Sequence, residues 1–181
     1  MARRLAIALV HHPVLDGQGK TVTTALTNLD VHDLARSART YGCSDFFVVH
    51  PIEAQRELAS RIVDHWTTGS SAKRIPDRKE ALSVVRPVAT LDDAIAGLGG
   101  AVDLWITAAR ELGAPISFAR ARERLAAEGG PVLLVFGTGW GLAGEVVSRA
   151  DAVLEPIRGA GDWNHLSVRA ACAIALDRLR G

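Results

Sequence analysis

The residues best suited to bind a small molecule lie in two glycine-bearing loops near the end of the chain. An apolar stretch, residues 133–136, runs directly into Gly-Thr-Gly-Trp-Gly-Leu at 137–142, and Val-Leu-Glu-Pro-Ile at 153–157 precedes Gly-Ala-Gly at 159–161. Backbone without side chains can approach a flat polar ligand and hydrogen-bond it through N–H and C=O groups. Either loop alone can be an ordinary turn, but together, at the ends of neighbouring buried strands, they predict a ligand site.

Single residues around these loops have structural as well as functional interpretations. Asn164 can cap the helix that follows it, and His165 can be a structural histidine where that helix begins. Trp140 can contact a second copy of the chain or form a lid, and Glu155 can accept a loop hydrogen bond or an ion pair. The sequence leaves these alternatives open.

The composition is that of an ordinary globular domain. The 181 residues are 48% hydrophobic and 23% charged, with a net charge of +1, and they predict one domain over residues 1–181. No apolar run is long enough to cross a bilayer, and residues 1–4 precede no signal-peptide core. Cys43 and Cys172 are widely spaced, which favours reduced thiols and a cytoplasmic location. Arginines near the predicted site suit a phosphate backbone, although helical arginines are often simply solvated. They are Arg36, Arg39, Arg110, Arg120, Arg122, Arg124 and Arg169.

Apolar runs and helical periodicity alternate along the chain. This alternation predicts an α/β fold with a parallel sheet of about six strands and flanking helices. The expected strands are residues 5–10, 46–49, 86–89, 102–107, 132–136 and 152–154.

Capping residues and glycines predict where the helices begin and end. A first helix is expected from Asn28 or Asp30 to about residue 41, and a second from Pro51 with an apolar stripe of Leu58, Ile62 and Trp66. Residues 67–77 are polar and small and are expected to form a longer loop. Further helices are expected after residues 90–93, after Ser117, and at the end of the chain, where one face carries Val168, Cys172, Ala175, Leu176 and Leu179.

Two nucleotide-binding patterns in the sequence are incomplete. Residues 16–21, Asp-Gly-Gln-Gly-Lys-Thr, resemble the end of a P-loop, but Val14 stands where that pattern needs glycine, and residues 22–24 favour a strand or loop over a helix. A polar surface turn is therefore the better prediction. Leu142 replaces the third glycine of a dinucleotide fingerprint, which disfavours an NAD-binding protein. Glu155 lies near the position of a ribose-binding acid, so this alternative stays open.

The sequence contains no pattern typical of a metal site or of a hydrolase triad. The six histidines form no spaced cluster with cysteines or carboxylates, so no metal site is expected. A Gly-x-Ser-x-Gly elbow is absent, which disfavours a hydrolase triad.

Taken together, the motifs resemble those of the SPOUT, or α/β-knot, RNA methyltransferases. The C-terminal motifs are Phe-Gly-x-Gly-x-Gly-Leu at 136–142, Glu-Pro-Ile at 155–157 and Asn-His-Leu-Ser-Val-Arg at 164–169. Residues 28–42 resemble the first motif of that superfamily, in which an Asn-rich turn opens a helix that carries an arginine and ends at glycine.

A closer resemblance is to a bacterial subfamily of stand-alone, minimal SPOUT domains. It rests on Ala-Leu-Val-His-His-Pro-Val at 8–14, Thr-Asn-Leu-Asp at 27–30, Asp-Arg-Lys-Glu-Ala-Leu at 77–82 and the loop at 136–141. The similarity covers nearly the whole chain.

The resemblance implies features that composition does not reveal. The C-terminal segment would form a trefoil knot, and S-adenosylmethionine (SAM) would bind in three knot loops, residues 107–109, 136–142 and 154–167. The protein would be a homodimer with its first-motif and final helices at the interface. Arg36 would then face the partner's cofactor pocket.

The same resemblance assigns individual site residues. Arg36, Asn164 and His165 are expected to be catalytic. Ribose-methylating relatives often have Ser-Leu-Asn-Val-Ser in the third motif, and His165 here stands where asparagine is common, so the acceptor atom is left open. The expected cofactor-binding residues are Thr107, Ala108, Phe136, Gly137, Thr138, Gly139, Trp140, Leu154, Glu155, Pro156, Ile157, Gly161, Leu166 and Ser167.

The chemistry of SAM agrees with this set. Its sulfonium makes the methyl group electrophilic, so the protein needs mainly to hold an acceptor close and in line. Leu154, Ile157 and Leu166 can wall an adenine slot, and the helix that begins near His165 can bind a carboxylate. The resemblance thus implies methyl transfer from SAM to tRNA or rRNA. A SAM- or nucleotide-binding module without transfer activity is the alternative, and an NAD-dependent oxidoreductase is less favoured.

Overall fold

Strands and helices alternate along the chain in the computed structural model, which describes residues 2–68 and 70–181. The elements in chain order are β1 (Leu5–Val10), β2 (Val14–Leu15), β3 (Thr21–Val22), α1 (Asn28–Thr40), β4 (Phe46–Val49), α2 (Glu53–Thr67), α3 (Ser70–Arg74), α4 (Pro76–Leu82), β5 (Val85–Val88), α5 (Leu91–Leu98), β6 (Asp103–Ile106), α6 (Phe118–Ala126), β7 (Val132–Gly137), α7 (Gly144–Val147), β8 (Ala152–Val153) and α8 (Val168–Arg180).

Six of the strands form one parallel sheet in the order β5-β4-β1-β7-β6-β8. This confirms the predicted parallel α/β sheet, with strand ends within two residues of the expected ones. β1 and β7 lie at its centre, paired in register from Leu5 with Val132 to Val10 with Gly137. Because parallel strands end at the same edge, the loops after β6, β7 and β8 emerge side by side.

The sheet is covered on both faces because alternate residues of its strands point to opposite sides. Leu5, Ile7 and Leu9 belong to a core that includes α1, α6 and α8, whereas Ala6 and Ala8 belong to a core with α5 and α7. The expected apolar face of α8 is confirmed, since Cys172, Ala175, Leu176 and Leu179 are buried and Val168 packs against the same core.

The P-loop-like segment forms a short antiparallel hairpin of β2 and β3. The prediction of a polar surface turn is therefore confirmed. Val14 also pairs with Leu142 in an isolated bridge, so the hairpin lies against the loop that follows β7.

Two helix boundaries differ from those expected. Thr27, and neither Asn28 nor Asp30, is the N-cap of α1, because its side chain accepts a hydrogen bond from the backbone N–H of Asp30. The second helix begins at Glu53 after Ile52, and Pro51 lies outside it.

The predicted stripe of α2 and the predicted loop at 67–77 are also wrong in part. Leu58 is 39% exposed and Ala59, one position on, is buried in its place, whereas Ile62 and Trp66 pack against the core as predicted. Much of 67–77 is helical, in α3 and the start of α4. Pro76 begins α4 at a position that suits proline, and Ala81 and Leu82 anchor this helix by burial. Gly69 lies outside the described residues.

The predicted caps of α5 and α6 and the glycine after the first helix are confirmed. Thr90 and Asp93 form a reciprocal capping box at the start of α5, and Ser117 caps α6. Gly42, with φ of +69°, follows the end of α1. Cys43 and Cys172 are buried, and burial raises the pKa of both thiols. No helix within residues 2–68 and 70–181 is long and apolar enough to cross a membrane.

Candidate functional site

A cavity of about 770 Å³ opens where β6, β7 and β8 end. Its volume is within the usual range of small-molecule sites, and its walls come from the three loops expected to converge there. The predicted site residues that line it are Thr107, Ala108, Phe136, Gly137, Thr138, Gly139, Trp140, Glu155, Ile157, Asn164, His165, Leu166 and Ser167.

Four predicted site residues do not line this cavity. Leu154 is buried, and its backbone N–H bonds the carbonyl of Ile106. Pro156 is buried as well, and Gly161 is exposed. Arg36 is exposed on α1, on a separate shallow groove. The expectation that Leu154 walls the cavity is therefore wrong, because its side chain belongs to the main core.

The loop after β7 holds its shape through glycines and through the hairpin. Gly139 and Gly141 have φ angles of +59° and +107°, which disfavour other residues. A Cβ on Gly139 would lie 2.8 Å from the carbonyl oxygen of Leu15, which accepts the N–H of Trp140. The hairpin behind the loop therefore requires glycine at position 139.

The loops after β6 and β8 are joined by Asn164. Its side-chain amide donates to the carbonyl of Ala109, 2.8 Å away. The capping alternative for Asn164 is wrong, because Ser167 is the N-cap of α8 and accepts from the N–H of Ala170. Asn164 therefore ties two walls of the cavity together.

Glu155 has a structural partner as well as a place in the cavity wall. Its Oε1 accepts the backbone N–H of Phe118 at 2.8 Å, in the first turn of α6. This contact uses a helix N–H that would otherwise lack a partner. The loop hydrogen bond considered for Glu155 is therefore present, and the carboxylate lines the cavity as well.

Buried histidines support the floor of the cavity. Nδ1 of His11 lies 3.0 Å from the hydroxyl of Thr24, which hydrogen-bonds the hydroxyl of Thr138, and both threonines line the cavity. Burial, followed by the nearby imidazole of His50, lowers the pKa of His11 to about 4. Burial also lowers the pKa of His50, whose Nε2 lies 2.9 Å from the carbonyl of Thr24. His11 is therefore neutral at physiological pH.

Several lining residues were not predicted from the sequence. Thr24, Asp30, Leu112 and Phe118 line the cavity although each lies outside the three loops or was not assigned to the site. Asp30, whose Oδ1 lies 3.5 Å from Nη1 of Arg169, was within reach of sequence reasoning because it belongs to the first motif. Thr24 carried no local signal, since its partner Thr138 is far away in the sequence.

The cavity is lined by apolar side chains, by backbone groups of the glycine-bearing loop, and by side chains of both positive and negative charge. Phe136, Leu142 and Ile157 are apolar, whereas Asp30 and Arg110 are charged. The described residues, 2–68 and 70–181, hold no group of three or more His, Cys, Asp or Glu side chains that could bind a metal. Such a lining suits a flat, polar organic ligand held largely by backbone groups.

Comparison with known proteins agrees with this interpretation. Residues 4–181 match the sequence model of a family described as SAM-dependent RNA methyltransferase. The chain is also 43% identical over 183 residues to a tRNA (guanine-N(1)-)-methyltransferase of Oleidesulfovibrio alaskensis, covering 99% of this chain and 42% of that protein. The chain thus spans less than half the length of this curated relative.

Solved structures match the fold over nearly the whole chain. A probable methylase family protein of Haemophilus influenzae Rd KW20 has a TM-score of 0.67 at 18% identity, covering 99% of this chain and 66% of the other. The SpoU methyltransferase AviRb of Streptomyces viridochromogenes has a TM-score of 0.61 at 15% identity, covering 99% of this chain and 59% of the other. These similarities confirm the predicted SPOUT-like α/β fold.

Proposed function

Because this chain belongs to the family of SAM-dependent RNA methyltransferases, we propose that it transfers the methyl group of SAM to an RNA nucleotide held at its cavity. One observation carries this proposal: the loops after β6, β7 and β8 converge on a single cavity of about 770 Å³. That cavity combines apolar walls, glycine-bearing backbone and the N-terminus of a long helix. SAM can use all three, because it carries an adenine ring and a carboxylate.

The chemistry of the lining residues fits SAM. Phe136, Leu142 and Ile157 would wall the adenine ring, and the backbone of residues 137–141 would bind its polar edge. Ser167 and the first turn of α8 would bind the carboxylate, because helix N-termini attract anions. Metal chemistry has no part in this proposal.

The bound cofactor would supply an electrophilic methyl group. The chain's own residues then have to hold the acceptor in line, exclude water and take up the proton that the acceptor releases. We assign the last task to His165, which lines the cavity and is exposed. Asn164 would act by positioning, through its hydrogen bond to the carbonyl of Ala109.

RNA binding and the RNA class are part of the proposal. The name of the curated relative specifies N1 of guanine in tRNA, for a protein more than twice as long as this chain. We therefore propose tRNA as the first substrate class to test. A cytoplasmic location follows from such a substrate.

We further propose a homodimer in which Arg36 of one protomer reaches the cavity of its partner. The support is that Arg36 lies outside its own chain's cavity, exposed on the first-motif helix α1, which packs against α8. The trefoil knot also stays a prediction. A parallel bridge between Ile116 and Leu154 supports it, because it places the segment after β6 beside the segment after β8.

Two measurements test the ligand and the reaction. SAM should raise the free energy of unfolding by RT ln(1 + [SAM]/Kd), about 2.7 kcal/mol at a hundredfold excess over Kd, and NAD should not. RNA from a strain that lacks the gene, incubated with the protein and SAM, should gain one methylated nucleoside by mass spectrometry. SAM binding without transfer to any RNA would indicate a binding module instead. Binding of NAD and not of SAM would overturn the proposal.

The shared site is tested by a matched pair of arginines on one helix. Arg36→Ala should abolish methyl transfer, whereas Arg39→Ala should retain it, because Arg39 pairs with Glu80 on its own chain. Light scattering should give the mass of a dimer. In a crystal structure with SAM, the Arg36 guanidinium should lie closer to the SAM of the partner protomer. A monomer in solution, or a closer approach to its own chain's SAM, would contradict the proposal.

A further inference from the structure

Two tryptophans at the mouth of the cavity are largely exposed. Trp163 is 80% exposed and Trp140 is 65% exposed, although indole is among the most apolar side chains. By contrast, Trp105 is fully buried in the core, and Trp66 packs partly against it. Large aromatic side chains left in water next to a cavity commonly mark a binding surface.

His165 joins the two tryptophans into one aromatic cluster, which we define as Trp140, Trp163 and His165. The ring centroids of Trp163 and His165 are 4.9 Å apart, and those of Trp140 and His165 are 6.2 Å apart, nearly edge to face. Trp140 and His165 line the cavity, whereas Trp163 lies just outside it. The cluster therefore begins inside the cavity and extends out onto its rim.

The hairpin holds Trp140 in place from behind. A Cβ on Gly17 would lie 3.3 Å from Cε2 and Nε1 of Trp140, so the indole packs against a residue without a side chain. The backbone N–H of Trp140 is fixed by the carbonyl of Leu15 at 2.9 Å. A ring held in this way loses little entropy when a ligand stacks on it.

Charge beside the aromatic cluster indicates the kind of ligand. Arg110 lines the same cavity, is exposed, and forms no ion pair within residues 2–68 and 70–181. Flat rings beside a free cation match a nucleotide, which carries a stacking base and an anionic phosphate. A base that is paired in a helix hides its faces, so the matching ligand is an unpaired nucleotide.

We infer that the aromatic cluster stacks an unpaired base of the RNA substrate, at or next to the nucleotide that is methylated. This inference rests on the proposed function, because an acceptor has to pass the rim to reach a methyl donor in the cavity. It also names the substrate class more closely: single-stranded or loop RNA rather than a continuous duplex.

The test compares RNA binding with SAM binding in matched variants. Trp163→Ala should weaken binding of a short single-stranded RNA about tenfold, as expected for loss of base stacking, while SAM affinity stays within about twofold. Trp163→Phe should recover most of the RNA affinity, because it keeps an aromatic ring. Leu58→Ala, which shortens an exposed apolar side chain on α2, should bind both ligands like the wild type. The same RNA annealed to its complement should bind more weakly and should not respond to Trp163→Ala.

Each contrary outcome overturns the inference in a recognisable way. Unchanged RNA affinity in Trp163→Ala, or an equal response of the duplex, would exclude base stacking. A lower mass of Trp163→Ala by light scattering would assign Trp163 to an interface between copies of the chain. If the wild type binds the RNA but no SAM, the proposed function fails, while the comparison of RNA affinities still decides the role of the aromatic cluster.

Discussion

Two glycine-rich loops meet beside the cavity, and they satisfy their backbone in different ways. In the hairpin turn, Oδ1 of Asp16 accepts the N–H groups of Gln18 and Lys20, and the carbonyl of Asp16 accepts that of Gly19. The backbone N–H groups of Gln18, Gly19 and Lys20 therefore all have acceptors within the turn, and none of the three is free to bind a phosphate.

In the loop at 137–142, only some of the backbone N–H groups donate hydrogen bonds to other described residues. Trp140 donates to the carbonyl of Leu15 and Gly141 to that of Thr138, but the N–H of Gly139 has no acceptor within residues 2–68 and 70–181. Both segments are rich in glycine, so composition does not distinguish them. What differs is their place: one closes a hairpin, and the other follows a central strand at the edge of the sheet where ligands bind.

The largest expected effect comes from filling the position of Gly139. Gly139→Val places a β-branched residue at a φ of +59° and a Cβ 2.8 Å from the carbonyl oxygen of Leu15. Strain and steric overlap together should lower the free energy of unfolding by about 4 kcal/mol. SAM affinity should fall by at least about tenfold, because the loop has to move away from the hairpin. Denaturant unfolding and calorimetry measure the two effects.

Gly161→Ala is the matched control for that variant. Gly161 is exposed, and a Cβ there would meet no atom within 4 Å, so both stability and SAM affinity should stay near those of the wild type. A loss of SAM affinity in Gly161→Ala would restore Gly161 to the cofactor site. Normal SAM binding by Gly139→Val would show that the loop at 137–142 is a structural turn and not part of the cofactor site.

A second prediction concerns pH, through His11, which is linked to the loop at 137–142 by the hydroxyls of Thr24 and Thr138. His11 has a pKa of about 4 when folded, against 6.5 in an unfolded chain. Between these pH values the unfolded chain binds a proton at His11 and the folded chain does not. The contribution of neutral His11 to the free energy of unfolding is therefore complete above pH 6.5 and is lost as the pH falls to 4. The loss amounts to about 3 kcal/mol.

His11→Asn isolates this contribution, because it keeps a polar group near the hydroxyl of Thr24 and removes the titration. Its free energy of unfolding, measured by denaturant titration from pH 7 down to pH 4.5, should fall less steeply than that of the wild type. Carboxylates titrate in both proteins and cancel in the difference. Equal slopes would show that His11 does not exclude its proton in the folded state.

The smallest expected effect comes from the hairpin turn itself. Asp16→Ala removes the acceptor for two backbone N–H groups and should lower stability by about 1 kcal/mol. SAM affinity should be unchanged within about twofold, because the turn does not line the cavity. ATP binding that depends on Asp16 or Lys20 would show that the hairpin turn also binds a ligand, and the distinction between the two loops would be wrong. Calorimetry with SAM and with ATP distinguishes these results.

The site shows where reasoning from the sequence succeeds and where it stops. Gly137 and Gly139 were assigned from their position after an apolar strand, and the structure places both in the cavity wall. The family resemblance assigned Leu154 and Pro156 as well, yet both are buried outside the cavity lining. Adjacent residues of an extended segment point in opposite directions, so membership of a loop does not tell which side chain faces the ligand.

The sequence by itself determined the six strands of the sheet and several helix ends, but not α3 or the start of α4. Apolar runs, capping residues such as Thr90 and Ser117, and the glycine after α1 act on their nearest neighbours, so their effect can be read from a few consecutive residues. The C-terminal motifs likewise identified the family from the sequence, because they form a fixed pattern of residue types along the chain.

Only the tertiary structure decided which side chains meet. Thr24 bonds Thr138 across 114 positions, Asn164 bonds the carbonyl of Ala109 across 55, and Trp140 lies beside His165 at the mouth of the cavity. These contacts depend on the order of strands in the sheet and on the path of the segment after β8, which no short stretch of sequence encodes. The cavity exists because three strands that are distant in the chain end side by side.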